Sequence, residues 1–123
     1  MSAYQIRILV IAVFFLLILA SGFLLTRSGK PYSGLLLNAH KLIAIAAAIY
    51  AGINIHNINQ SNPLEPLHWV VIALLTLFVL VTVATGGLAS IDKSMPIIVT
   101  KLHHIGPYMV ILSSASYFFL TYT

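Results

Sequence analysis

The chain contains no cysteine. That excludes disulfides, thiolate metal sites, iron–sulfur clusters and covalent haem attachment through Cys-x-x-Cys-His. Charge is nearly absent too: Asp, Glu, Lys and Arg make up 7% of the residues, against about 25% in soluble domains. Only two residues are acidic, Glu65 and Asp92, and both stand among turn-forming residues between the hydrophobic runs. With 60% hydrophobic residues, the composition is that of an integral membrane protein. The 123 residues leave no room for a second domain, so 1–123 is read as a single transmembrane domain. The formal charge of +4 then reports orientation or contact with anionic lipid rather than nucleic-acid binding.

What is present is four long hydrophobic runs. They predict helices over about 5–26, 35–57, 67–85 and 99–122. About 20 apolar residues at ~1.5 Å per residue cross the ~30 Å hydrocarbon layer. The first run, Ile6 to Leu25, exceeds the ~7–15-residue core of a signal peptide. Ala20-Ser21-Gly22 matches a cleavage site only loosely, so the run is read as a helix. Gly and Pro punctuate the first loop, 27–34, and the second loop, Asn57 to Pro66, is rich in Asn and Pro. Pro66 suits a first helical turn, and Trp69 suits the interfacial aromatic belt. Gly86-Gly87 is expected to end the third helix, and Leu88 to Ile98, with Asp92, Lys93 and Pro96, forms the third loop. Gly106-Pro107 is placed where an early turn tolerates proline or bends. The fold class is therefore all-α, an up-down-up-down transmembrane four-helix bundle.

In that topology loops one and three share a side with Arg27, Lys30, Lys41, Lys93 and Lys101, while the other side has only Arg7. Excess Lys and Arg face the cytoplasm. This predicts both termini outside and loops one and three cytoplasmic, in the plasma (inner) membrane of a prokaryote.

The five histidines are the residues least at home in a bilayer, and an intramembrane imidazole marks a functional site by default. His40, His103 and His104 begin helices on one side, while His56 and His68 lie on the other. At 100° per residue, Ala44, Ala47 and Ala51 fall within about 40° of His40, with Asn54 continuing the stripe. Pro107, Val110, Ser114 and Tyr117 fall similarly below His103. From His104 the stripe is Tyr108, Ile111 and Ala115, so either histidine could face His40; Ser114 favours His103. His56 is turned about 160° from His40, which argues against a second haem in the same cleft.

Two imidazoles at one depth, small residues beneath them and cations at the membrane edge are what a non-covalent haem b requires. His40 and His103 are the candidate iron ligands. His104, Lys41, Lys101, Ala44, Ala47 and Ser114 are the candidate lining and propionate-side residues. His56, His68 and Trp69 form a secondary candidate site for a second haem, a metal ion or a quinone.

The segments Leu37-Asn-Ala-His-Lys-Leu-Ile43 and Lys101-Leu-His-His-Ile-Gly106 are similar to the histidine-bearing helix openings of small four-helix b-type membrane cytochromes. That resemblance implies His40 and His103 as axial ligands and single-electron transfer to a redox partner protein or a quinone. Many two-haem members have two aligned ligand pairs; the angular offset of His56 departs from that pattern. Homo-oligomerisation is open. The competing readings are a non-haem accessory or assembly subunit and a small transporter. Four helices at this length resemble small multidrug transporters, but those need an acidic residue within a span, which this chain lacks.

Overall fold

A computed structural model describes residues 1–91 and 93–123. Asp92, expected in the third loop, lies outside the described residues. The described chain is helical: α1 Ala3–Ser28, α2 Gly34–Ser61, α3 Pro66–Ala89 and α4 Ile97–Tyr122. It forms two compact units, Met1–Pro63 and Leu64–Thr123.

Each helix starts where local chemistry permits. Ser2 caps α1 through a capping box: its Oγ accepts from Gln5 N at 3.4 Å, and the Gln5 side chain accepts from Ser2 N at 2.9 Å. Two otherwise orphaned donors are thereby satisfied. Ser33 caps α2 by accepting from Leu36 N. Pro66 opens α3 in the first turn, where its missing N–H costs nothing.

Within each unit the two helices run antiparallel. In the first, Ser21 meets His40 and, further along, Phe14 meets Tyr50 with ring centroids 5.9 Å apart. In the second, Gly86 lies against His103 and Gly106 against Thr82. The α3–α4 approach is close because Gly106 has no side chain: a Cβ there would collide with Thr82 Oγ1.

Very little of the chain is buried. Leu25, Ile58 and Tyr117 are the buried hydrophobics, while large apolar side chains on all four helices are exposed, among them Leu16, Leu42, Leu80 and Phe119. Such a surface would be untenable in water and matches lipid. α1, α2 and α3 are each long and apolar enough to cross a membrane.

Three boundaries differ from the sequence reading. α2 runs on to Ser61 rather than stopping near Asn57. Its polar side chains fold back onto the helix: Asn54 Nδ2 donates to Tyr50 O at 2.8 Å and Ser61 Oγ to Asn57 O at 3.0 Å, so they do not interrupt the backbone ladder. α3 does not end at Gly86-Gly87 but continues to Ala89, because Gly86 is used for close packing rather than as a stop. Pro107 lies inside α4, not at its start, since α4 begins at Ile97.

Candidate functional site

His40 lies in the first α2 turns, half-buried against α1. Its Nδ1 is 2.8 Å from Ser21 Oγ. The direction of that bond follows from the other contacts of the hydroxyl. Ser21 Oγ lies 2.8 Å from Leu17 O and 3.1 Å from Ile18 O, and carbonyl oxygens only accept. With its one hydroxyl proton given to the backbone, Ser21 Oγ is placed to accept from Nδ1 of His40. A neutral imidazole with its proton on Nδ1 has its lone pair on Nε2. The ring packs over Gly22, where a Cβ would come within 3.2 Å of Cε1.

His103 occupies the corresponding place in the second unit. Its Nδ1 is 2.9 Å from Thr82 O. A carbonyl can only accept, so Nδ1 donates here too. The ring rests on Gly86, where a Cβ would stand 2.5 Å from Cε1 and 2.9 Å from Nδ1.

The remaining candidates divide by exposure. His104 is exposed, its ring centroid 6.4 Å from that of His103, and Tyr108 and Ala115 below it are exposed as well. On the His103 side, Pro107, Val110 and Ser114 are half-buried and Gly106, Ser113 and Tyr117 are buried. Ala44, Ala47, Ala51 and Asn54 are half-buried on the His40 face of α2. Lys41 and Lys101 are exposed next to their histidines in sequence. In the first unit His56 is exposed. In the second, Trp69 is exposed and His68 is half-buried, with an Nδ1 atom that is buried and has no hydrogen-bond partner among the described residues. A groove of about 270 Å³ on the α3–α4 unit is lined by Val71, Leu74, Phe78 and Met109 with Ser113 and Ser116. Those two hydroxyls already donate to Met109 O and Leu112 O.

Among the described residues no group of three or more His, Asp or Glu side chains gathers as a multidentate metal site. The supports of His40 and His103, namely Ser21, Gly22, the Thr82 carbonyl and Gly86, are absent from the sequence reading. Ser21 and Gly22 register there only as a loose cleavage site and Gly86 only as a helix stop. The signal that finds them is a recurrence, Ala20-Ser21-Gly22 and Ala84-Thr85-Gly86. No known protein family, curated protein or solved structure is found to match the chain.

Proposed function

We propose that the chain is a membrane-embedded b-type cytochrome that passes single electrons, with His40 and His103 as the axial ligands of one haem b. The observation that carries this reading is the matching contact of the two rings, each with Nδ1 against a fixed oxygen of the adjoining helix. Iron takes the lone pair of a neutral imidazole, and the other ring nitrogen of a metal-bound histidine donates to a nearby acceptor. His40 and His103 both donate from Nδ1 to a fixed oxygen on the adjoining helix, so the donor set fits haem iron. Each hairpin supplies one such ring, and the two together would hold the iron of one haem b. When bound, the haem supplies a one-electron iron couple.

The chain's own residues do the rest. Lys41 and Lys101, with Arg27, Lys30 and Lys93, offer positive charge for the propionates. Ala44, Ala47 and Ser114 keep the neighbouring helix surfaces low. His56, His68 and Trp69 are the region where a quinone or a redox partner would exchange electrons, His68 Nδ1 being the buried polar atom there that lacks a partner.

The reading extends to topology. α4 serves as a fourth span. Its Lys101, two histidines and three serines lower its hydropathy, yet Ser113 and Ser116 return their hydroxyl protons to the helix's own carbonyls, which lowers their cost in lipid. Both termini lie outside and loops one and three are cytoplasmic, in a prokaryotic plasma membrane. The test is optical: protein purified from haem-replete cells should be coloured, with a haem b spectrum that sharpens on reduction and no haem retained on a denaturing gel. A colourless preparation that also fails to take up added haem would overturn the reading.

A further inference from the structure

The two hairpins contain the same local device. Ala20-Ser21-Gly22 in α1 recurs as Ala84-Thr85-Gly86 in α3, a lysine and a proline follow in each connection (Lys30-Pro31; Lys93 and Pro96), and the histidine follows the glycine at nearly the same interval. The likeness extends to atoms. Ser21 and Thr85 are both buried. Ser21 Oγ contacts the carbonyls of Leu17 at 2.8 Å and Ile18 at 3.1 Å, and Thr85 Oγ1 those of Val81 at 2.7 Å and Thr82 at 3.1 Å. The next residue in each copy is the glycine that the imidazole covers. One feature differs: the ring donates to the hydroxyl itself in the first copy and to the Thr82 carbonyl in the second.

We infer that Ser21 with Gly22, and the Thr82 carbonyl with Gly86, are positioning residues that clamp His40 and His103 as Nδ1–H tautomers, the form in which Nε2 can ligate a metal. The purpose assigned to the clamps, holding haem iron, rests on the cytochrome reading above; the clamps themselves do not. Each glycine gives the ring a surface to lie on, and each oxygen fixes which nitrogen keeps the proton. Free histidine in water favours the opposite tautomer, with the proton on Nε2, so removing the acceptor should release His40 toward that form. Metal-bound histidines that lose such an acceptor weaken binding by about 10–100-fold. The ring would also donate less charge to iron, which raises the reduction potential.

The experiment uses the full chain in lipid nanodiscs with ¹⁵N-labelled histidine, first without haem and then titrated with hemin. In the haem-free wild type, His40 and His103 should each give one protonated Nδ1 and one unprotonated Nε2. Ser21→Ala should shift His40 toward the Nε2–H form and leave His103 unchanged, and Ser21→Thr, which places the residue of the second copy in the first, should restore the wild-type pattern. In the hemin titration Ser21→Ala should bind roughly 10–100-fold more weakly and at a higher potential. Gly86→Ala should lose more haem than Gly22→Ala, since an added Cβ would stand 2.5 Å from His103 but 3.2 Å from His40. A wild-type His40 carrying its proton on Nε2, or an unchanged tautomer in Ser21→Ala, overturns the clamps even if hemin binds. Wild-type tautomers as stated with no hemin binding would instead overturn the cytochrome reading and leave the clamps standing.

Discussion

His40 shows how much one neighbouring atom decides. Nothing in the ring itself determines which nitrogen keeps the proton, and Ser21 Oγ, whose own proton is shared between Leu17 O and Ile18 O, is proposed to decide it. The same reasoning separates His103 from His104. The first is half-buried, tied to Thr82 O and seated on Gly86, and the second is exposed. On the proposed cytochrome reading, His40→Ala and His103→Ala should each abolish stable haem retention, since a single imidazole remains. His104→Ala should keep most of the haem, as should His56→Ala and His68→Ala. Extraction and absorbance give haem per protein for each variant. Retention in His103→Ala together with loss in His104→Ala would exchange the roles of the adjacent pair. Equal loss in His40→Ala and His56→Ala, with folding intact, would show that His56 belongs to the same site.

At the scale of an element, α3 and α4 are held close by absence of bulk. Gly106 is buried and faces Thr82, and Gly86 faces His103. In lipid, packing of small residues replaces the hydrophobic drive that joins helices in water. Two effects compete when Gly106 becomes alanine. Alanine is the better helix former by about 1 kcal/mol, but the new methyl collides with Thr82 Oγ1, and overpacking costs about 1–3 kcal/mol. Overpacking should win, because the neighbouring atoms belong to a β-branched side chain with little freedom to move. Gly106→Ala should lower unfolding stability in mixed micelles by up to about 2 kcal/mol. Adding Thr82→Ala should recover part of it, since Oγ1 and Cγ2 are then gone and only the Cβ, 3.0 Å from the new methyl, stays. Thr82→Ala leaves the backbone carbonyl that accepts from His103, so the double variant should keep its haem. A neutral or stabilising Gly106→Ala would mean that the helices have room to separate.

For the whole molecule the governing fact is an apolar exterior over a sparse interior. α1, α2 and α3 satisfy the length and hydropathy of membrane spans, whereas α4 combines 26 residues with Lys101, two histidines, Pro107 and three serines. In the proposed topology α4 spans as well, Thr123 shares a side with Met1, and the five-to-one bias of Lys and Arg is the ground for proposing that side outside. Single cysteines introduced beside Arg27 and Lys93 should react with impermeant maleimide only from the cytoplasm, and cysteines at positions 1 and 123 only from outside. Exclusive labelling of position 123 from the cytoplasm would remove α4 from the spans and overturn the proposed topology. The absence of native cysteine makes this measurement direct.

The sequence by itself determined that the chain is helical and belongs in a membrane. Both follow from composition and run length, properties that add up residue by residue and need no knowledge of contacts. It also singled out His40 and His103 and put Ala44, Ala47 and Ser114 on their faces, because a 3.6-residue period alone sets those angles. It missed the extension of α2 to Ser61 and of α3 through Gly86. Asn and Gly are breakers only on average, and here Asn54 and Ser61 bond to their own helix while Gly86 is covered by a ring. The tertiary structure decided which oxygen meets Nδ1 of His40 and of His103 and which glycines lie beneath those two rings. Those are properties of pairs such as Ser21 with His40 and Gly86 with His103, which are distant in the chain and become neighbours only when each hairpin closes.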